Sequence, residues 1–414
     1  MSNFRMWSPL GDLDSVFALR APTDPSANPT GLYDPLGNDL SLRYQVYTSG
    51  TQAAKTRFNV IQPDGTYKDL NQIFAPPPKG ITWRALSTGT SATVYAITAV
   101  DNSNVYVGGD FILAGGTSVN YIARWDGAAW RAMGTGTSAS VFAISAVDNS
   151  NVYVGGAFTS VGGDTNKARI VKWDGSTWQR MGSGTSATVY AITAVDNSNV
   201  YVGGNFKLAG GIGASFIARW DGATWRTLST GTNNYVYLNG ISAVDNSNVY
   251  VSGNFTTAGG KGASYIARWD GATWNAMGTG TNSRVDGISA VDNSNVYVGG
   301  FLTSAGGVGA SYIARWDGAT WRAMGTGTSA SVTGISAVDN SNVYVGGQFT
   351  SAGGVGASYI ARWDGATWRT LSTGTNGIVY AISALDNSNL YVGGNFTLAG
   401  GRGTTYIAKW TDNY

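Results

Sequence analysis

Short runs in which apolar and polar residues alternate, four runs to a unit, recur through most of the chain. In residues 331–374 they are Val-Thr-Gly-Ile-Ser-Ala-Val (332–338), Val-Tyr-Val-Gly-Gly (343–347), Tyr-Ile-Ala-Arg-Trp (359–363) and Thr-Trp-Arg-Thr-Leu (367–371). Each has the length and β-branched or aromatic content of a strand, and each is bounded by Gly, Asn, Asp or Ser. Asp-Asn-Ser-Asn, between the first two, suits a turn in which side chains bond their own backbone. A Gly-rich loop joins the second to the third, and an Asp-Gly turn at Asp364 and Gly365 folds the third onto the fourth. The unit therefore predicts a four-stranded antiparallel meander. Such a sheet has two apolar faces and cannot bury both alone, so copies must stack face to face around an axis.

Asp-Asn-Ser-Asn begins at Asp101, Asp148, Asp196, Asp245, Asp292, Asp339 and Asp386, seven copies at intervals of 47 to 49 residues. Two tryptophan series accompany it. One closes the Ala-Arg-Trp run (Trp125, Trp173, Trp220, Trp269, Trp316, Trp363, Trp410), and the other follows the turn (Trp83, Trp130, Trp178, Trp225, Trp274, Trp321, Trp368). After Trp410 only Thr-Asp-Asn-Tyr remains, so the last unit lacks a fourth run. That run stands at the other end, as Ile81-Thr82-Trp83-Arg84-Ala85-Leu86, before any first run. The phase predicts an all-β fold, a seven-bladed β-propeller over residues 81–414 closed by an N-terminal strand carrying Trp83. The repeat tryptophans are expected to pack blade against blade.

Fifty-nine glycines without a Gly-X-Y period fit many tight turns. Charge narrows the partners: 26 basic against 24 acidic residues leave +2, too little for the phosphate-neutralising surface of a nucleic-acid binder. There is no cysteine and no histidine, which excludes disulfides, thiolate nucleophiles, imidazole metal sites and a Ser-His-Asp triad. No cofactor is expected. The first twenty residues do not read as a secretory signal, and no stretch reaches the roughly 18 apolar residues of a membrane span, so no membrane insertion is expected.

Val-Tyr-Val-Gly-Gly followed by Trp-Asp-Gly-Ala-Thr-Trp resembles the kelch repeat, whose double glycine ends a second strand and whose aromatic pair packs between blades. It is closer still to the Ile-Ala-Arg-Trp-Asp-Gly repeats of large surface proteins of bacteria and giant viruses. The likeness spans residues 83–410 and implies a fold, not an activity. The same turn is similar to the sialidase Asp box, without its leading Ser and with Asp and Gly adjacent, and implies no catalysis. Residues 1–80 differ. Leu42–Thr48 alternates like a strand, Phe58–Tyr67 reads as a hairpin about Asp64 and Gly65, and Pro76-Pro77-Pro78 is a stiff linker. Gly65-Thr66-Tyr67-Lys68-Asp69-Leu70-Asn71-Gln72-Ile73-Phe74-Ala75-Pro76 is similar to a lead-in of fibre and capsid-associated proteins of large algal DNA viruses. Residues 1–80 are thus expected to be an anchoring segment that docks on other structural proteins; the resemblance implies a virion-surface location, and the alternative is a secreted bacterial cell-surface glycan-binding propeller.

Seven turn aspartates could hold calcium, but four residues supply fewer oxygens than the 6 to 8 it prefers, and Asx turns are the expectation. The basic residue before each Trp-Asp-Gly (Arg124, Lys172, Arg219, Arg268, Arg315, Arg362, Lys409) is expected to pair with those aspartates. An enzyme would have to rest on carboxylates, as a glycosidase does, at a site that breaks the repeat. The charged residues that break it are Asp110, Asp164, Lys167, Arg169, Lys207, Lys261, Arg284, Asp286 and Arg402. They form no evident carboxylate pair, and no enzyme is expected. Variation gathers in the loops from fourth to next first strand and from second to third. Both loops should emerge on one rim, where Asn233, Asn234, Tyr235, Asp164, Lys167, Lys261, Arg284, Asp286 and Arg402 are the candidate contacts for a host-surface glycan or protein.

Overall fold

The structure is a computed structural model. It describes residues 82–165 and 169–412 and, ahead of them, the backbone strands Trp7–Ser8, Gly11–Asp12, Val46–Ser49, Arg57–Ile61 and Tyr67–Asp69. The chain divides into two units, Met1–Gly80 and Ile81–Tyr414. In the first, Val46–Ser49, Arg57–Ile61 and Tyr67–Asp69 pair in that order as an antiparallel sheet, with Ile61 opposite Tyr67 across the hairpin. Val46–Thr48 fall in the expected strand, and residues 42–45 lie outside the described residues. The proline linker and the anchoring contacts lie outside the described residues.

In the second unit, seven four-stranded antiparallel sheets follow the repeat. Blade 6 is typical: Val332–Asp339, Asn342–Gly347, Ile360–Trp363 and Trp368–Thr370 pair in sequence order. The seventh blade orders Ile378–Asp386, Asn389–Asn395, Ile407–Thr411 and then Thr82–Ala85, with Trp410 opposite Trp83. The ring is a seven-bladed β-propeller closed by its N-terminal strand. Thr82 Oγ1 and Thr411 Oγ1 lie 3.0 Å apart across the seam.

The core is distributed as seven apolar clusters between adjacent blades. The one joining blades 6 and 7 holds Tyr344, Ile360, Leu371, Val379, Phe396, Trp83 and Trp410, all buried. Within each outer hairpin the two tryptophans meet edge to face, with centroids 4.9–5.4 Å apart. The second tryptophan also donates its indole N–H across the interface. Trp130 reaches Leu86 O, Trp178 Met133 O, Trp225 Met181 O, Trp274 Leu228 O, Trp321 Met277 O, Trp368 Met324 O and Trp83 Leu371 O, at 2.8–3.1 Å. The buried tyrosine of each second strand sends its hydroxyl to the Asn of the next blade's turn, ending with Tyr391 on Asn102 Oδ1 at 3.0 Å. The first glycine of Val-Tyr-Val-Gly-Gly completes the fit: a β-carbon on Gly108 would collide with Val141 of the following blade.

Three local features depart from the sequence reading. The loop between second and third strands contains its own two-residue hairpin, as at Ser351–Ala352 with Val355–Gly356. The residue before the third strand is left-handed, with Tyr121, Arg169, Phe216, Tyr265, Tyr312, Tyr359 and Tyr406 at φ of 64 to 70°. Two backbone bonds offset that strain, as where Tyr359 N donates to Phe349 O at 2.8 Å and Tyr359 O accepts Gly347 N at 3.0 Å. The Asp-Gly turn is a four-residue loop. Asp364 Oδ1 accepts the N–H groups of Ala366 and Thr367, and its other oxygen holds Arg369 at 2.7 Å.

The repeat cations do not pair with the Asp-Asn-Ser-Asn aspartates. Asp101 is occupied by the N–H of Ser103 and the amide of Asn104, an Asx turn. Arg124 and Arg219 donate instead to Asn104 and Asn199 at 3.2 and 3.1 Å, Lys409 to Asn102 at 2.8 Å, and Lys172 lies over Tyr153. An amide next door on the adjacent strand is nearer than the carboxylate, whose oxygens the turn has already taken.

Ring closure through Trp83 predicts that deletion of residues 1–90 gives an aggregating protein, because the Ile407–Thr411 strand becomes an open edge. Trp83→Ala should cost about 3–5 kcal/mol of unfolding free energy. Size-exclusion chromatography and urea melts check both; a monomeric deletion with unchanged melting would refute closure.

A second expectation concerns acid. The Trp-Asp-Gly carboxylates of Asp126, Asp174, Asp221, Asp270, Asp317 and Asp364 are held well below the usual carboxylate range. The backbone N–H three residues on contributes most, and the next turn N–H and the side chain five residues on add to it. A depressed folded pKa stabilises fully above the unfolded value and is lost as pH falls through the folded one. Melting temperature should therefore hold from neutrality to about pH 4 and decline below it. Calorimetry across pH 7 to 2 reads this directly.

Candidate functional site

The first strand of each blade faces the axis, and its residues line a central channel. One ring is sevenfold and apolar: Ile97, Ile144, Ile192, Ile241, Ile288, Ile335 and Ile382 surround a chamber of about 120 Å³. At the end where the first strands begin, the position after each opening Val breaks the symmetry. It is Tyr95, Phe142, Tyr190, Tyr237, Asp286, Thr333 and Tyr380. The aromatic members touch in sequence, with centroid separations of 5.5 Å (Tyr380–Tyr95), 5.4 Å (Tyr95–Phe142), 5.7 Å (Phe142–Tyr190) and 6.4 Å (Tyr190–Tyr237). All five are half-buried.

Arg284 continues this belt. Its guanidinium lies 4.3 Å from the Tyr237 ring centre and 4.6 Å from that of Phe301, and it forks onto Asp286 (Nε–Oδ1 2.5 Å, Nη2–Oδ2 3.0 Å). Asp286 is 4% exposed in its side chain. Burial raises its pKa and outweighs the opposing pull of Arg284. Burial also works against the Arg284 charge, but there the hydrogen bond and charge of Asp286 prevail and its pKa is raised. Tyr95 is pushed up to about 12, first by burial and then by its hydrogen bond to Asp110, so it stays a neutral phenol.

Blade 4 supplies the floor. Its first strand, Val236–Asp245, is ten residues where most are eight, because Val236 pairs with Gly253 and pairing resumes only at Ile241. The looped-out Asn239 takes a left-handed φ of 55° and donates its side-chain amide to Thr333 O (3.2 Å) and Tyr380 O (3.0 Å). Those carbonyls belong to blades 6 and 7, so the bonds cross the channel. Asn239 therefore lines both the isoleucine chamber below and a cup of about 220 Å³ above, walled by Tyr95, Tyr237, Leu238, Arg284, Asp286 and Tyr380 together with Phe301, Thr333 and Gln348.

The sequence candidates divide around this cup. Arg284 and Asp286 are in it, although Asp286 is buried against Arg284 and not free on the rim as expected. The rim residues are largely taken up by their own loops. Asn233 Oδ1 accepts the N–H groups of Thr256 and Thr257, Asn234 caps Tyr235, and Tyr235 leans on Tyr237 at 5.9 Å. Asp164 pairs with Arg180 at 2.8 Å, Lys261 reaches Trp274 O at 3.4 Å, and Arg402 is exposed on a hairpin. Arg169 donates to Thr185 O, Lys207 lies over Phe216, and Asp110 holds Tyr95 and Ser140. Lys167 lies outside the described residues. The tyrosine belt and Asn239 escaped the sequence reading, though a signal existed: the one 49-residue interval, Asp196 to Asp245, contains the six residues Val-Tyr-Leu-Asn-Gly-Ile where every other copy has four, as in Val94-Tyr95-Ala96-Ile97. Among the described residues no group of three His, Cys, Asp or Glu could hold a metal ion.

The sequence model of the family described as the Rax2 C-terminal beta propeller domain matches residues 79–245, 123–296 and 319–412. No curated protein matches the sequence. Similar solved structures are YCF48 bound to D1 peptide (TM-score 0.51, 14% identity, 80% of this chain and 96% of that one) and the WD40 beta propeller domain of Doa1 (0.51, 14%, 79% and 96%). YCF48 from Cyanidioschyzon merolae aligns with TM-score 0.50 at 14% identity, over 80% of this chain and 98% of the other. At that identity the likeness is one of fold.

The floor is open to a direct test. Asn239→Gly keeps the left-handed backbone and loses two hydrogen bonds, for an expected cost of about 1–2 kcal/mol. Asn239→Ala adds the left-handed penalty of roughly 1 kcal/mol. Urea melts should rank wild type above Gly above Ala; equal stabilities would mean that the cross-channel bonds hold nothing.

Proposed function

The chain belongs to the family of the Rax2 C-terminal beta propeller domain, and on that premise we propose that it is a non-enzymatic binding protein whose ligand seats at the aromatic mouth of the channel. One observation carries this reading. Positions that build the blades repeat in all seven copies, whereas Asp286, Thr333, Phe301, Gln348 and the Leu238-Asn239 insertion gather on three neighbouring blades around one opening. A scaffold alone has no use for such a cluster; a ligand that lacks sevenfold symmetry does. The YCF48 propeller bound to D1 peptide is a precedent for a ligand on this architecture, in that protein. Asp110 and Asp286 are both engaged by other side chains, which speaks for binding over hydrolysis.

The surface on which it acts is a separate question. The surface-protein character of the repeat and the capsid-like lead-in at residues 65–76 favour display on a virion, with residues 1–80 docked on other structural proteins. Immunogold labelling of purified particles with an antibody to the propeller tests that placement; label confined to secreted material would move it to the cell-surface alternative.

For the mouth itself, fluorescent full-length protein is applied to intact candidate host cells. Thr333→Arg and Gln348→Trp are expected to lower attachment about tenfold or more. Ala223→Arg, exposed in a Trp-Asp-Gly turn at the other end of the blade, should leave it unchanged. Equal attachment by all three variants would overturn the reading, as would turnover of a chromogenic glycoside panel.

A further inference from the structure

We infer that the cup above Asn239 is a subsite for one neutral, hydroxyl-rich ring, a single uncharged sugar residue at the end of a glycan. This rests on the binding role assigned to the channel mouth and names the chemistry that the mouth selects.

Charge is the first filter. Among the described residues on the cup wall the one cation is Arg284, which is forked onto Asp286 and lies against the rings of Tyr237 and Phe301. An anion would find the guanidinium already neutralised, and a cation would find the carboxylate already paired. At the lip, Asp110 is bonded to Tyr95 and Ser140. The pair is nevertheless a good partner for hydroxyls. Two of the five guanidinium N–H groups are spent on Asp286, leaving three donors beside carboxylate oxygens that still carry lone pairs. Gln348, exposed, adds a donor and an acceptor on the same wall. A hydroxyl both donates and accepts, so a ring bearing several of them matches this mixed display better than an ester, an amine or an alkyl group does.

Shape is the second filter. Tyr95 and Tyr380, half-buried and tilted by 55° at 5.5 Å, form an aromatic corner opposite the Arg284–Asp286 pair. The C–H face of a pyranose packs on an aromatic ring while its edge hydroxyls reach polar groups, and the cup places those two kinds of surface across from one another. The volume, about 220 Å³, falls below the roughly 300–1,000 Å³ of sites for drug-sized ligands. Asn239 stops anything from passing deeper. The cup therefore takes one terminal residue and leaves the remainder of the chain outside.

The test uses the full-length protein and saturation-transfer NMR with six probes: galactose, mannose, fucose and N-acetylglucosamine as neutral rings, sialic acid as an anion and glucosamine as a cation. At least one neutral sugar should bind, and neither charged probe should. Tyr380→Ala and Gln348→Trp are expected to weaken that binding about tenfold or more. Tyr380→Phe, which keeps the ring, should retain most of it, and unchanged melting of Gln348→Trp separates a blocked cup from a misfolded one. The inference is overturned if no neutral sugar binds, if a charged probe binds better, or if binding survives both substitutions. Should the mouth variants still abolish cell attachment in that case, the ligand class is wrong and the binding role stands. If attachment too is indifferent to them, both fall.

Discussion

The propeller depends on one contact repeated seven times, the face of one blade against the next. No blade has a core of its own. Trp178 is buried against the preceding blade, where Met133 O accepts a hydrogen bond from its indole N–H, and Tyr153 against the following blade, where Asn197 Oδ1 accepts one from its hydroxyl. Removing any interface exposes two apolar sheets and leaves buried polar groups unpaired, so the ring is stable as a closed object and not as a sum of blades. The strand Thr82–Ala85 is the least local element of the propeller: Thr82 meets Thr411 across a separation of 329 residues, so its pairing carries the largest loop-closure cost.

That dependence explains which parts of the fold were legible in the sequence. Period, strand number, closure through Trp83 and the packing role of the tryptophans all follow from residues that the interface constrains in every copy. The partner of the repeated arginine did not follow, because the choice between Asn104 and Asp101 for Arg124 is decided by which oxygens a turn has already occupied. Composition is blind to such short-range competition. The left-handed residue before each third strand was equally hidden, since tyrosine and phenylalanine carry no label for positive φ and are held there by N–H bonds donated to carbonyls such as those of Phe111 and Phe349.

The candidate site was half visible. Arg284 and Asp286 stood out as charges without counterparts in other blades, but their position two residues apart at the start of one first strand reads from sequence as rim decoration. Only the closing of the ring brings Tyr237, Thr333 and Tyr380, spread over more than 140 residues, to one opening. Asn239 required more still: a two-residue insertion is ordinarily a loop lengthened at the surface, and here it lies on the inside of the ring because it falls within the axial strand.

The location of the asymmetry follows from the same packing. Along each first strand the opening Val, from Val94 to Val379, is fully buried between blades and does not vary. Its neighbour faces the axis, where it meets its counterparts on other first strands and residues of the mouth such as Asp110 and Arg284. Tyrosine, phenylalanine, threonine and aspartate have all been accommodated there at no expense to the interfaces, and at Asp286 the charge is satisfied locally by Arg284 without touching an interblade cluster. The axial mouth is thus where this ring can change its chemistry without loosening its scaffold. It is also enclosed on all sides by rigid strands, which is the condition a small site needs to hold its groups in fixed geometry. A repeat built on identical interfaces leaves its freedom at the hub, and in this chain that is where its unlike residues are found.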